Sequence, residues 1–373
     1  MSSVKEKNVV IVGGGFGGAT IARELSGKLD PSKYHITLVT LRPFMVNLTA
    51  TIRLTTSELG VEEKKVIFPY DKLFHKKDVG TVKVGRVTAV EASEGSKPGC
   101  VVLEGGEKLS YNVLVLAPGF RWNGPVSLPY TEEETRAHID SWREKFKTSK
   151  NIVVVGGGAV GIEFSGEIRD VYPDAKVTLI HRDRLLLNDF FPEKFRKAIE
   201  KDARAGGVDV VLNDSLEDLE LKGTSVTLES GKKIDADLII PAFGGKPATD
   251  FIASSLGADS LTDKGLVKVT KTLRLPAYTN IFAAGDIIDV QESKQVVPTY
   301  FHASVVAANV LAVLNDKEPK REYSKVPISM CVSNGRNRGL IYVDILWGII
   351  FGNWVASFAK NFLFNLMPKN YGQ

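Results

Sequence analysis

The sequence predicts an α/β chain of two units, each a parallel sheet covered by helices, with a small C-terminal segment after them. Three observations predict it. A β-branched run, Val9–Val12, leads into Gly13-Gly14-Gly15-Phe16-Gly17-Gly18 and then ATIAREL at helical spacing. A second run, Ile152–Val155, leads into Gly156-Gly157-Gly158-Ala159-Val160-Gly161 and then IEFSGEI. Further on, VVLEGGEKLSYNVLVLAPG (Val101–Gly119) aligns without a gap on VTLESGKKIDADLIIPAFG (Val226–Gly244).

Each element follows in order. The two β-branched runs read as first strands, and the glycines after them as the turns into first helices. His35–Val39 and Lys176–Ile180 read as second strands. In the aligned halves a strand and a Gly turn precede a continuous apolar run, the pattern of a parallel strand buried on both faces. Each unit is therefore Rossmann-like, with a small antiparallel insert before its last strand. A length of 373 residues suits two or three domains, and 43% hydrophobic with 25% charged residues describes a globular chain rather than a disordered one.

One G-x-G-x-x-G is a weak signal, and a tight turn without a ligand is its plain alternative. Two of them in strand–turn–helix context are a strong one. Gly13 permits the turn, Gly15 lets backbone approach a pyrophosphate, and Gly18 allows close helix–strand packing; Gly156, Gly158 and Gly161 repeat those roles. The helix N-terminus offers unpaired N–H groups to the phosphates. Late in the chain, NIFAAGDIID ends an apolar strand at Gly285-Asp286. Asp286 can accept a hydrogen bond from a ribityl hydroxyl, or it can simply cap a helix.

The order of the first glycine motif, Ala117-Pro118-Gly119, the second motif and AAGD resembles that of the pyridine-nucleotide flavoprotein reductases. Asn47 and Arg53, IEFSGEI, FHASVVAANV (Phe301–Val310) and SNGRNRG (Ser333–Gly339) narrow the resemblance. They point to the apoptosis-inducing-factor-like group that includes ferroptosis suppressor protein, with type II NADH dehydrogenases as cousins. The resemblance implies a split FAD domain, 1–122 with 252–325, an inserted NAD(P)H domain, 123–251, and a C-terminal segment, 326–373. It implies FAD contacts at Gly13, Gly15, Gly17, Gly18, Thr40, Asn47, Arg53, Ala117, Gly119 and Asp286. It implies NAD(P)H contacts at Gly156, Gly158, Gly161, His181, Arg182 and Gly244. Glu163 matches a glutamate near the nicotinamide–flavin contact, a catalytic position, with a helix-surface carboxylate as the alternative. The helix Thr299–Leu314 is expected to aim its N-terminus at the flavin.

The chain departs from the pattern at three places. Thr40 stands where an acid would bind the FAD ribose, offering a hydroxyl without charge assistance. His181 followed by Arg182 replaces the acid that favours NADH, which suits the 2′-phosphate of NADPH, with Arg184 to assist. The alternative is that HRDR is an exposed turn. Pro118 stands where relatives carry Thr.

The formal net charge of +4 demands no nucleic-acid partner, and no basic run interleaved with aromatics occurs. From Lys317 onward eight Lys or Arg face three Asp or Glu, which suits an anionic surface or a solvated tail. Cys100 and Cys331 are far apart and no C-x-x-C exists, so no local dithiol carries electrons. The start, MSSVKEKNVVIVGGG, runs straight into a strand, and we expect no signal, transit or myristoylation sequence there, nor a prenylation or peroxisomal signal at YGQ.

In the tail, Trp347, Ile350, Phe351, Trp354, Val355, Phe358 and Phe362 fit one face of a helix, with Gly352, Asn353, Ala356 and Lys360 on another. The uncharged run Ile345–Ala359 is shorter than the ~20 apolar residues of a membrane span. It suits an interfacial helix, a homodimer contact or a core helix, and the resemblance favours an anchor beside a quinone channel. The expected function is an FAD-dependent NAD(P)H oxidoreductase passing hydride to FAD and electrons to a quinone. The expected location is cytoplasmic and peripheral on a membrane such as a lipid droplet, the outer mitochondrial or the plasma membrane. The alternatives are an NAD(P)H oxidase using oxygen and a cell-death-type signalling flavoprotein.

Overall fold

The two copies of the sequence pattern form two parallel sheets in equivalent register. In the computed structural model, which describes residues 7–371 except 60, 77, 95, 96 and 217 and the side chains of 361–368 and 370, the first sheet has five strands. Their order is Ile281–Ala283, Val113–Leu116, Lys7–Val12, Tyr34–Thr40 and Gly80–Val84. The second sheet runs Asp209–Leu212, Lys176–His181, Asn151–Val155 and Leu238–Pro241. Val12 pairs with Leu116 in one and Val155 with Pro241 in the other, as the ungapped alignment of the halves requires. The antiparallel inserts are there too: Val87–Glu91, Gly99–Leu103 and Lys108–Tyr111 in the first unit, Ser225–Thr227 with Lys233–Asp235 in the second.

Eight α-helices are described: α1 Phe16–Lys28, α2 Leu48–Thr56, α3 Glu132–Thr148, α4 Ala159–Val171, α5 Glu193–Ala205, α6 Asp250–Leu256, α7 Val296–Leu314 and α8 Asn353–Tyr371. The helices α1 and α4 follow their glycine turns directly. The first core gathers Val9–Val12, Ile36, Leu38 and Val113–Leu116 with Ile281–Ala284 and the inner face of α7. The second gathers Ile152, Val154, Phe164, Leu179 and Ile240, and it takes in Ile52 of α2. That helix packs on α4, so the two units are joined through side chains as well as through the chain.

The helix α7 has a mean hydropathy of 1.6 and is long enough to cross a membrane, yet half of that stretch is buried inside the protein. It is a core helix, packed along α1.

The C-terminal segment corrects the single helical stripe. Ser329–Ser333, Gly339–Val343 and Ile349–Phe351 form an antiparallel sheet, and only then does α8 begin. Ile350 and Phe351 are thus strand residues, and Trp347 lies in the turn before them. Gly348, at φ 79°, ends any helical path there. Within α8 the small-residue face is the inward one: Ala356 and Lys360 are buried, while Trp354 and Phe358 are exposed. Phe362 lies outside the described side chains.

Candidate functional site

Both glycine turns are built for backbone proximity. A Cβ on Gly13 (φ 115°) would collide with the Ala117 carbonyl, and one on Gly18 with the carbonyl of Gly13. Gly156 (φ 114°) and Gly161 repeat this against Ala242 and the Gly156 carbonyl. Gly15 and Gly158 are the opposite case: a Cβ there meets nothing within 4 Å. The first set packs the fold, and the second leaves open the space beside the helix N-terminus where a phosphate approaches. Gly17 faces Thr299 and Gly285, so the AAGD turn and the start of α7 meet the first glycine loop. Gly119 (φ 73°) and Gly244 continue the strands opposite the two loops with no atom crowding them.

Asp286 is half-buried beside this junction, and its carboxylate has no hydrogen-bond partner among the described residues. Burial pushes its carboxyl above the usual range, against the pull of Lys294 and His302. An open cradle at Gly15 and a partnerless carboxylate after the strand Ile281–Ala283, two places along the same sheet, fit a dinucleotide that carries a polyol.

Thr40 is buried at the end of the second strand. Its hydroxyl accepts the Arg42 N–H at 3.3 Å and lies 3.5 Å from the Tyr70 hydroxyl. Tyr70, which sequence reasoning passed over, donates to the Gly14 carbonyl at 2.7 Å and holds the loop from behind. Arg42 donates to the carbonyls of Pro129, at 2.7 Å, and Leu128, and it sits 5.1 Å from the Tyr130 ring, with Arg86 also over that ring. Pro118 lies against Gly13.

In the second unit His181 Nδ1 accepts the Gly157 N–H at 3.1 Å, which puts the ring proton on Nε2, 3.5 Å from Asp183. Burial lowers the His181 pKa and favours the neutral ring. The imidazole therefore braces the glycine loop. The Arg182 side chain is 83% exposed, with its Nε 3.9 Å from Asp183, and Arg184 pairs with Glu193 at 3.0 Å.

Asn47 and Arg53 are buried against protein. Asn47 donates to the Lys65 carbonyl at 3.4 Å and accepts from Thr49 at 2.7 Å. Arg53 donates to Glu167 Oε1 at 2.9 and 2.6 Å. It joins α2 to α4, and burial still raises the Glu167 pKa despite that partner. Four residues earlier on α4, Glu163 is also buried. Its Oε1 accepts from the N–H and the hydroxyl of Ser333, both at 3.1 Å, and from the Lys360 ammonium of α8. Lys360 was missed as a site residue. Its signal was its isolation: it is the one charge between Asp344 and Lys369.

A family model described as pyridine nucleotide-disulphide oxidoreductase matches residues 7–307. The chain belongs to that family. Within it, the chain falls in the apoptosis-inducing-factor-like group. It is 43% identical over 299 residues to the FAD-dependent oxidoreductase FVFD30 of Flammulina velutipes, covering 80% of this chain and 92% of the other. It is 30% identical to ferroptosis suppressor protein 1 of Taeniopygia guttata, covering 95% of this chain and 92% of the other. Among solved structures, the sulfide:quinone oxidoreductase of Aquifex aeolicus shares the fold with a TM-score of 0.77 at 17% identity, covering 98% and 91% of the two chains. As a family member the chain is an FAD-dependent oxidoreductase that uses NAD(P)H. The resemblance read from the motifs, the fold class and both cofactors are borne out.

Proposed function

We propose that this oxidoreductase reduces a quinone held in a membrane to which the protein binds peripherally. One observation carries the reading: the C-terminal segment that brings Lys360 to Glu163 also presents a bare apolar surface. Leu346 is 76%, Trp347 93%, Trp354 80% and Phe358 68% exposed, with Ile345 and Phe351 beside them in the sequence. The turn Ile345–Gly348 supports it further. Gly348 N–H donates to the Ile345 carbonyl at 2.9 Å, and Leu346 and Trp347 hold φ of 47° and 71°. Two adjacent positive φ angles are the pattern of a type I′ hairpin turn, for which Asn-Gly is preferred. Large apolar residues there cost backbone strain and leave their side chains in solvent, a combination retained where the side chains have a use. Lys194 donates to the Trp347 and Gly348 carbonyls, placing an ammonium at the root of the turn, level with anionic headgroups if the tip inserts.

In this reading Gly13, Gly15, Gly17, Gly18 and the N-terminus of α1 hold the FAD pyrophosphate, and Asp286 accepts from the ribityl chain. Gly156, Gly158, Gly161 and the N-terminus of α4 hold NAD(P)H, with the exposed Arg182, only 3.9 Å from Asp183, turning to a 2′-phosphate. The N-terminus of α7 supplies a partial positive charge beside Gly17. FAD, when bound, supplies the chemistry: it accepts hydride from the nicotinamide and returns two electrons to the quinone. Glu163 and Ser333 orient Lys360 at the junction of α4, α8 and the C-terminal sheet, and Arg53–Glu167 keeps that junction closed.

The test is a steady-state assay of purified protein with NADH and NADPH, offering a lipophilic quinone in liposomes, a water-soluble dye and oxygen in turn. The reading expects the quinone to be the fastest acceptor and the protein to co-sediment with the liposomes. Equal turnover with oxygen alone, or a dimer that ignores liposomes, would replace it.

A further inference from the structure

The glycine loop that opens α1, Gly13–Gly18, carries a single side chain, that of Phe16. The glycines on both sides give packing no other handle on the loop. Phe16 is the first residue of α1, so its backbone N–H is among the unpaired donors that the helix end offers to a phosphate. Whatever holds Phe16 therefore holds those donors. Its ring meets the ring of Tyr371 edge-on, with the centroids 6.2 Å apart. Tyr371 is the last residue of α8.

This contact is one of three along the same face of α1. Tyr371 is 3% exposed and joins the first hydrophobic core. The Thr20 hydroxyl donates to the Phe16 carbonyl at 2.6 Å, which uses its one proton. The Tyr371 hydroxyl, 2.7 Å from Thr20 Oγ1, is therefore the donor in that second bond. A hydrogen-bond relay thus runs from Tyr371 through Thr20 to the residue in the loop. The Arg23 guanidinium lies 5.9 Å from the centre of the Tyr371 ring and donates to the Lys72 carbonyl at 2.6 Å. Phe16, Thr20 and Arg23 follow one another at helical spacing, and Tyr371 spans all three.

The helix that carries Tyr371 comes from the other unit. Its Lys360 is bonded to Glu163 of α4, the helix behind the second glycine loop. It also packs on the strands Ser329–Ser333 and Gly339–Val343 and on the turn Glu63–Lys65. From Lys360 to Tyr371 the helix rises about 16 Å. It is therefore tied to the helix of one nucleotide loop and, at its end, to the helix of the other.

We propose that Tyr371 is a positioning residue for FAD: docked on Phe16 and Thr20, it fixes the first glycine loop and slows release of the nucleotide. The proposal rests on the reading of Gly13–Gly18 as the FAD pyrophosphate loop. Tyr371 acts through Phe16 rather than on the nucleotide itself. Linkage between binding events is reciprocal, so if docked Tyr371 tightens FAD, bound FAD tightens the docking of Tyr371 by the same factor. A tyrosine that merely completes the core has no such dependence on FAD.

The experiment takes two measurements on the full chain. The first is the rate of FAD dissociation from the holoprotein, followed by flavin fluorescence after dilution, with far-UV circular dichroism as the check on folding. Tyr371→Ala loses an aromatic pair and a hydrogen bond, and FAD should leave roughly tenfold faster. Tyr371→Phe keeps the ring, and its rate should fall between that of Tyr371→Ala and that of the parent. The second is hydrogen exchange at the end of α8 in the parent protein, with FAD bound and after its removal. Exchange there should slow with FAD bound, by more than in the strand Asn151–Val155. An unchanged dissociation rate in a folded Tyr371→Ala protein would overturn the proposal, and so would an FAD effect on α8 no larger than on that strand. The exchange measurement needs no variant and decides the matter even where Tyr371→Ala does not fold. Gly15→Ala is the reference: release of FAD at the parent's rate there would overturn the loop reading itself, whatever Tyr371 does.

Discussion

The ammonium of Lys360, on the last helix, is hydrogen-bonded to Glu163 Oε1, 197 residues earlier on the helix that follows the second glycine loop. Both side chains are buried. Removing one member of such a pair leaves a buried charge short of its partner and typically costs about 3–5 kcal/mol, while replacing both costs far less. Lys360→Met and Glu163→Gln should each lower the denaturation midpoint clearly, and the double variant should recover most of the loss. Denaturant titrations of the four proteins decide it; additive losses would mean that the pair is not coupled.

The glycine loops separate packing from binding. Gly15 and Gly158 have ordinary backbone angles, φ −75° with ψ −173° and φ −75° with ψ 179°, and nothing near a Cβ. Gly15→Ala should therefore fold normally but lose FAD affinity roughly tenfold or more, the scale of one charge-assisted hydrogen bond. Gly158→Ala should stay yellow and raise the KM for NAD(P)H instead. Gly13→Ala, strained at φ 115° and blocked by the Ala117 carbonyl, should be destabilised even without nucleotide. Flavin absorbance with thermal melts distinguishes the three.

Tyr70 gives an alkaline signature. Burial pushes its hydroxyl up to about 12, above its ordinary value of 10.0. A raised native pKa means stability that is full below pH 10 and is lost as pH rises toward 12, because the unfolded chain ionises its tyrosine near 10 while burial keeps the folded Tyr70 protonated. Tyr70→Phe should cost about 1 kcal/mol at pH 8. It should also flatten the decline above pH 10, seen by urea unfolding at both values.

Cofactor preference should follow Arg182. With its side chain 83% exposed, Arg182→Ala should leave stability unchanged. If it meets a 2′-phosphate, the KM for NADPH rises roughly tenfold while that for NADH barely moves. Equal effects in paired steady-state assays would remove Arg182 from the site.

The turn Ile345–Gly348 offers a variant that gains stability as it loses function. Replacing Leu346→Asn and Trp347→Gly suits the two positive φ angles and relieves strain. The melting temperature should hold or rise. Sedimentation with anionic liposomes should fall, since each large apolar side chain contributes about 1.5–3 kcal/mol when fully buried. Unchanged lipid binding in the more stable variant would exclude the tip as the contact.

The sequence by itself determined the two parallel-sheet units, their register, the glycine loops and the family. Those features are local: a β-branched run, a glycine turn and a helix are adjacent in the chain, and Val101–Gly119 aligns on Val226–Gly244 residue for residue. Only the tertiary structure decided the rest. The stripe from Trp347 to Phe362 read as one helix because seven side chains fit a period of 3.6. Backbone pairing of Ile349–Phe351 with Gly339–Val343 and the glycine at 348 overruled that period, and side-chain periodicity carries no information about the free edge of a neighbouring strand. The partners of Glu163, Arg53 and Glu292 were hidden for the same reason. Lys360, Glu167 and His302 reach them by folding, 197, 114 and 10 residues away along the chain, and a buried charge chooses its partner by proximity in space.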